Sequence, residues 1–119
     1  MNQKSELEKT IALFVEAINT DNASIIPLAA DASLRGPMMP QAVTGEAAIR
    51  RYLDEISPFI ARMELKTSVA DAETAALVVE FESVNGVVVE GAFFFDILDG
   101  LIQQAQFFFD TNLLIKGAK

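Results

Sequence analysis

Residues 91–111 read Gly91-AFFFDILDGLIQQAQFFFD-Thr111, and this stretch decides the fold. Two triplets, Phe93-Phe94-Phe95 and Phe107-Phe108-Phe109, flank the turn signal Leu98-Asp99-Gly100. Aromatic residues favour strands, and Asp-Gly tolerates the positive φ that a tight hairpin needs. Six of the nine phenylalanines fall in this one hairpin, which predicts a curved sheet with an aromatic face around an apolar interior. Side chains on a strand alternate between faces. With Phe93 inward, Val89, Phe95 and Ile97 share its side, while Glu90, Ala92, Phe94 and Asp96 take the other. On the partner strand Ala105, Phe107 and Phe109 turn inward, and Gln104, Gln106 and Phe108 outward.

Working back from the hairpin, the pattern stays β. Met63, Leu65, Thr67 and Val69 alternate with Arg62, Glu64, Lys66 and Ser68, the period of a strand. Asp71-Ala72-Glu73 turns the chain into a strand over 75–84, with Leu77, Val79 and Phe81 on one face. Asn85-Gly86 is a hairpin signal leading to strand 87–98, and 101–110 completes a four-strand antiparallel meander. Earlier the period changes. Leu7, Ile11, Phe14 and Ile18 form the stripe of an amphipathic helix, with Ser5 as N-cap and Glu8 closing a capping box. The spacing predicts a short second helix over 23–29 and a short strand over 31–36. The Pro37-Met38-Met39-Pro40 stretch then forbids regular structure. Thr44 is the predicted N-cap of a third helix, 45–56, whose apolar face carries Ala48, Ile49, Tyr52, Leu53 and Ile56. Helices followed by a meander give an α+β fold, read as one domain over residues 1–119.

Composition narrows the chemistry. The sequence has no Cys and no His, which rules out disulfides, thiolate nucleophiles, His-containing triads and imidazole ligands. Acid–base work would fall to carboxylates, Lys or the single tyrosine, Tyr52. The net charge of −8, with scattered basic residues, offers no positive stripe for nucleic acid and disfavours an anionic membrane. The polar start, Met1-NQKSELEK, lacks the apolar core of a signal peptide, and no apolar run spans a bilayer. A cytoplasmic location is the expectation. No carboxylate spacing calls for a metal, and no cofactor is expected.

Four stretches carry a family resemblance. They are Phe14-Val15-Glu16-Ala17-Ile18-Asn19; Leu28-Ala29-Ala30-Asp31-Ala32 leading into Arg35-Gly36-Pro37; Thr44-Gly45-Glu46-Ala47-Ala48-Ile49-Arg50-Arg51-Tyr52; and Phe95-Asp96-Ile97-Leu98-Asp99-Gly100-Leu101-Ile102 closing on Phe109-Asp110. In order and spacing the chain resembles the nuclear transport factor 2-like superfamily, in particular its ketosteroid isomerase-like and SnoaL-like members. The resemblance implies a cone-shaped α+β barrel. A curved sheet of four to six mostly antiparallel strands wraps around three N-terminal helices and leaves a pocket at its open end. It also implies where chemistry would sit. The isomerases' oxyanion Tyr matches Phe14, their base Asp matches Gly36, and their protonated second Asp falls at Phe93. Phe and Gly can neither take a proton nor hold an oxyanion. The resemblance therefore implies that this chain is not a ketosteroid isomerase.

The alternation nominates Phe93, Phe95, Phe107 and Phe109 as cavity wall, Phe14, Tyr52, Leu53 and Met63 as floor, and Met38 with Met39 as rim. The same side chains could equally fill a solid core. Three polar residues are candidates. Asp110 matches the acidic base of SnoaL-like cyclases, although its parity points it outward, where it would cap or brace the strand. Arg35, beside the family's base position but on the opposite strand face, reads as a surface salt bridge, or, with the strand twisted, as an anchor for an acidic ligand. Tyr52 reads as a helix-core phenol or an oxyanion donor. Val78, Val88, Phe94 and Phe108 fall on the convex face, and exposed apolar groups there mark an association surface. A homodimer through that face is expected, as the resemblance also implies. Three functions remain open. One is a binding protein for a small apolar, steroid- or polyketide-like molecule. The second is a SnoaL-like cyclase or isomerase using one carboxylate as base. The third is a ligand-free dimerisation module.

Overall fold

The computed structural model describes residues 3–37 and 39–109. Met38 and Asp110, both nominated from the sequence, lie outside the described residues. Those residues form two α-helices, α1 (Gln3–Asn19) and α2 (Glu46–Ile56), and six strands. The strands are β1 (Leu28–Arg35), β2 (Val43–Thr44), β3 (Ile60–Asp71), β4 (Thr74–Ser83), β5 (Val88–Leu98) and β6 (Leu101–Phe109). They build one curved, unclosed sheet in the order β2-β1-β6-β5-β4-β3. All neighbours are antiparallel except β1 and β6, which run parallel.

The meander forms as its turn chemistry dictates. Asp99 and Gly100 both hold positive φ, 55° and 77°, the backbone of a tight hairpin. Between β4 and β5, Gly86 at φ 88° lets Ser83 and Val87 pair across the loop. Helix α1 lies in the hollow of the sheet, with Leu7, Ile11, Phe14 and Ile18 buried against it. Two polar contacts tie it to the sheet, one from mid-helix Thr10 and one from its last residue, Asn19. Thr10 donates to the Gly100 carbonyl at 3.4 Å, and Asn19 grips the edge strand β3 at Met63.

The structure corrects the sequence reading in four places. The expected helix 23–29 is only a 3-10 turn, Ala23–Ile25. Pro27 holds its predecessor Ile26 extended (φ −74°, ψ 125°), so the chain enters β1 at Leu28 instead. The three expected N-terminal helices are thus two. Thr44 belongs to β2, opposite Ser33, and the helix cap is Gly45, at φ 100°. Helix α1 begins at Gln3, placing Ser5 inside it. Finally, the alternation of β3 breaks at a register shift between Leu65 and Thr67. Met63 is buried, but beyond the bulge the inward parity passes to Ser68 and Ala70, leaving Val69 69 % exposed.

Candidate functional site

An apolar cavity of about 280 Å³ opens at one end of the curved sheet. Its back wall is a run of phenylalanines on the concave face. Phe93 and Phe107, opposite each other on β5 and β6, stack at 4.1 Å and 6°. Phe107 continues to Phe109 at 4.8 Å, and Phe81 on β4 touches both at 5.8 Å. Helix α1 contributes Phe14, whose ring meets Phe93 edge-on at 4.9 Å, and Ile18. Helix α2 supplies Tyr52, Leu53 and Ile56 from the opposite side, and Met63 and Ile60 close the β3 edge. The rim is formed by Arg35, Gly36, Pro37 and Met39 after β1, and by Phe59 ahead of β3.

Close packing explains why the wall is flat here. A Cβ at Gly91 would stand 2.6 Å from the Phe107 ring and 2.9 Å from the Phe108 carbonyl oxygen. Only glycine lets the Phe107 ring lie down on β5 and reach Phe93.

The nominated residues divide as follows. Phe14, Tyr52, Leu53, Met63, Phe93, Phe107 and Phe109 line the cavity together. Phe95 does not. It is fully buried, paired on either side with Ala75 and Ala105, and packed against Phe14 at 5.1 Å. Two alanines leave a gap in the sheet surface, and the Phe95 ring fills it as solid core. Ala105 is buried there too, away from the wall. Several lining residues were missed: Ile18, Ile56, Phe59, Ile60, Phe81 and Ser83. Phe81 carried a usable signal, since it shares the inward parity of Leu77 and Val79. Ile18 and Ile56 were visible only as helix-core positions. Phe59 and Ser83 sit beside turns, where no periodicity points anywhere.

The cavity's polar side chains are few. Arg35 stands at the rim and is exposed; among the described residues no carboxylate lies within salt-bridge distance of it. Ser83 faces the cavity, while its hydroxyl oxygen accepts the N–H groups of Asn85 and Val87 at 3.3 and 3.2 Å. Burial raises the Tyr52 phenol above its ordinary pKa of 10.0, holding it protonated. Phe14, Gly36 and Phe93, which match the isomerase positions, all sit on the cavity wall. Among the described residues no carboxylate lines the cavity, and no cluster of three or more Asp or Glu has metal-binding geometry. No described helix is long and apolar enough to cross a membrane.

The SnoaL-like domain family matches residues 11–105, and the chain belongs to that family. Solved structures share its fold. A candidate SnoaL-like polyketide cyclase from Jannaschia sp. CCS1 superposes with a TM-score of 0.85 at 11 % identity, covering 98 % of this chain and 94 % of that one. An LEH-like epoxide hydrolase from M. tuberculosis gives 0.84 at 15 % identity, covering 98 % and 91 %. A candidate ketosteroid isomerase from Kribbella flavida DSM 17836 gives 0.81 at 19 % identity, covering 92 % and 82 %. No curated protein sequence matches the chain.

Proposed function

We propose that this chain is a small-molecule-binding SnoaL-like protein whose ligand occupies the phenylalanine-walled cavity. The observation that carries this reading is the cavity itself: about 280 Å³ of space lined almost wholly by hydrocarbon, where a solid core would have been better packed. An empty apolar void forfeits dispersion contacts, and a ligand restores them. The volume lies at the lower edge of the roughly 300–1,000 Å³ usual for ligand sites. It favours a one- or two-ring polyketide-like molecule or a medium chain over a complete steroid.

The similar structures span a cyclase, an epoxide hydrolase and an isomerase, so the fold does not select a reaction. We read the chain as lacking ketosteroid isomerase activity, because Phe14, Gly36 and Phe93 supply neither base nor oxyanion donor. The reading extends to a cytoplasmic homodimer formed through the convex face. That face carries Phe94 and Phe108, 48 % and 47 % exposed and in edge contact at 5.8 Å.

The test is thermal unfolding with a panel of apolar aromatic and aliphatic compounds. A ligand at 100 times its dissociation constant adds about 2.7 kcal/mol. The variant Ile56→Trp, which fills the cavity from α2, should fold normally and lose the shift. A panel that stabilises neither protein, or both equally, defeats the reading. No turnover of a steroid enone is expected from either.

A further inference from the structure

We propose that two copies of this chain meet across their convex faces about an axis through Phe108 and Phe94, with Arg35 of each copy paired to the partner's Glu90; this rests on the homodimer reading. The register puts Arg35 on that face. It pairs with Gln106, which pairs in turn with Phe94, and all three are exposed, whereas its neighbour Leu34 is buried. Among the described residues no carboxylate lies within salt-bridge distance of Arg35. The other cations of the face are engaged: Arg62 reaches Glu64, Glu80 and Glu82, and Lys66 reaches Glu64. Glu90 is the counterpart of Arg35. It is exposed, stands directly opposite Glu80 on β4, and has no cation within salt-bridge distance among the described residues. Like charges facing each other across two strands are destabilising. A cation from a second copy would relieve Glu90.

Symmetry brings the two together. From Phe108, Arg35 lies one strand away on β1 and two residues back along the sheet. Glu90 lies one strand away on the other side, on β5, and two residues onward from Ala92, the partner of Phe108. With strands about 4.8 Å apart and about 3.4 Å per residue, both charges stand about 8 Å from Phe108, in opposite directions. Phe94, in edge contact with Phe108, lies on the crossing diagonal. In an isologous contact, residue i meets j and j meets i. A two-fold axis lying in the interface along Phe108 and Phe94 therefore packs each of these rings on its own copy and exchanges Arg35 with Glu90. Two convex surfaces touch only near such an axis, and Arg and Glu are long enough to bridge the gap at its flanks. The guanidinium fork matches a carboxylate in bidentate geometry. The pair occurs twice in each dimer. It stays at the rim, where a charge pair fixes register more than it adds affinity.

The experiment is a charge swap in the full chain, read as the dimer dissociation constant by sedimentation across a concentration series. Arg35→Glu and Glu90→Arg each place two like-charged pairs in the interface, and each should weaken the dimer about tenfold, or about 1.4 kcal/mol. The double variant Arg35→Glu with Glu90→Arg rebuilds the pair in reverse and should return to within about threefold of the parent. Arg35→Glu combined with Asp96→Arg controls for charge alone, since Asp96 is also an exposed carboxylate of β5 but lies off the Arg35–Glu90 line. That combination should stay as weak as Arg35→Glu. Single variants that dimerise like the parent, a double variant that is not restored, or equal rescue by Asp96→Arg each overturn the pairing while leaving the dimer in place. A parent that is monomeric throughout the series overturns the pairing and the homodimer reading together, and leaves the cavity as a binding site.

Discussion

The rings of Phe93 and Phe107 lie face to face, and Gly91 is the reason they can. The 4.1 Å stack depends on a Phe107 ring that passes within 2.6 Å of where a Gly91 Cβ would be. Gly91→Ala should therefore push the ring out of register and cost about 1–3 kcal/mol, the usual penalty of overpacking. In a Phe107→Leu background the same change should cost less, although the Phe108 carbonyl at 2.9 Å keeps some of the strain. Denaturant unfolding of the four proteins measures the coupling. Strict additivity would show that ring and glycine do not interact.

The side-chain amide of Asn19 closes a two-way bridge to the backbone of Met63, donating to its carbonyl at 2.8 Å and accepting from its N–H at 2.7 Å. Strand β3 is the sheet edge, so Asn19 stands where another strand would. Asn19→Ala should destabilise by about 1–3 kcal/mol, the cost of leaving polar groups unpaired. Hydrogen exchange at the Met63 amide should accelerate. Unchanged protection there would mean that water replaces the bridge without loss.

Tyr52 is the only tyrosine, and the chain has no Trp, so its ultraviolet titration is unambiguous. Burial raises its pKa above 10.0, which places the midpoint of tyrosinate formation on the alkaline side of that value. As pH rises, the unfolded chain loses this proton first. The stability Tyr52 contributes is full below about pH 10 and is lost as pH climbs through the folded value. Tyr52→Phe should flatten that alkaline decline. A midpoint at or below 10.0 contradicts the placement of the phenol against the cavity.

Phe94 and Phe108 offer the most direct test of association. Replacing both with Lys should leave the fold and the cavity intact, because neither side chain faces inward. Analytical ultracentrifugation should then report a monomer where the parent sediments as a dimer. A parent chain that is already monomeric at micromolar concentration removes the dimer.

Where alternation was unbroken, the sequence could be read directly. Burial along β5 alternates from Val89 to Ile97, so the expected inward residues Val89, Phe93, Phe95 and Ile97 are all buried, even though the pairing with β6 shifts register between Asp96 and Ile97. Strand β3 shows the limit: one bulge near Lys66 reverses the faces, and nothing in the alternation Met63, Leu65, Thr67, Val69 announces it. The helix expected over 23–29 would have contained Pro27, whose stronger effect is to hold Ile26 before it extended. Phe95 shows a third limit. Parity states which side of a sheet a residue faces, but not how far along the strand the hollow extends. That depends on the small partners Ala75 and Ala105, which pairing alone reveals.

The parallel pairing of β1 with β6 has a consequence for the order of assembly. Arg35 and Gln106 are partners across 71 positions of chain, a separation that follows from their numbers in the register. Loop closure on that scale must be met before the contact repays it, so this seam should be late to form. A nascent polypeptide can complete the meander's local hairpins as they emerge. It cannot seat β1 until its distant partner strand has been synthesised. The cavity draws its rim from one side of that seam and its aromatic wall from the other, so binding competence should appear only in the last step of folding.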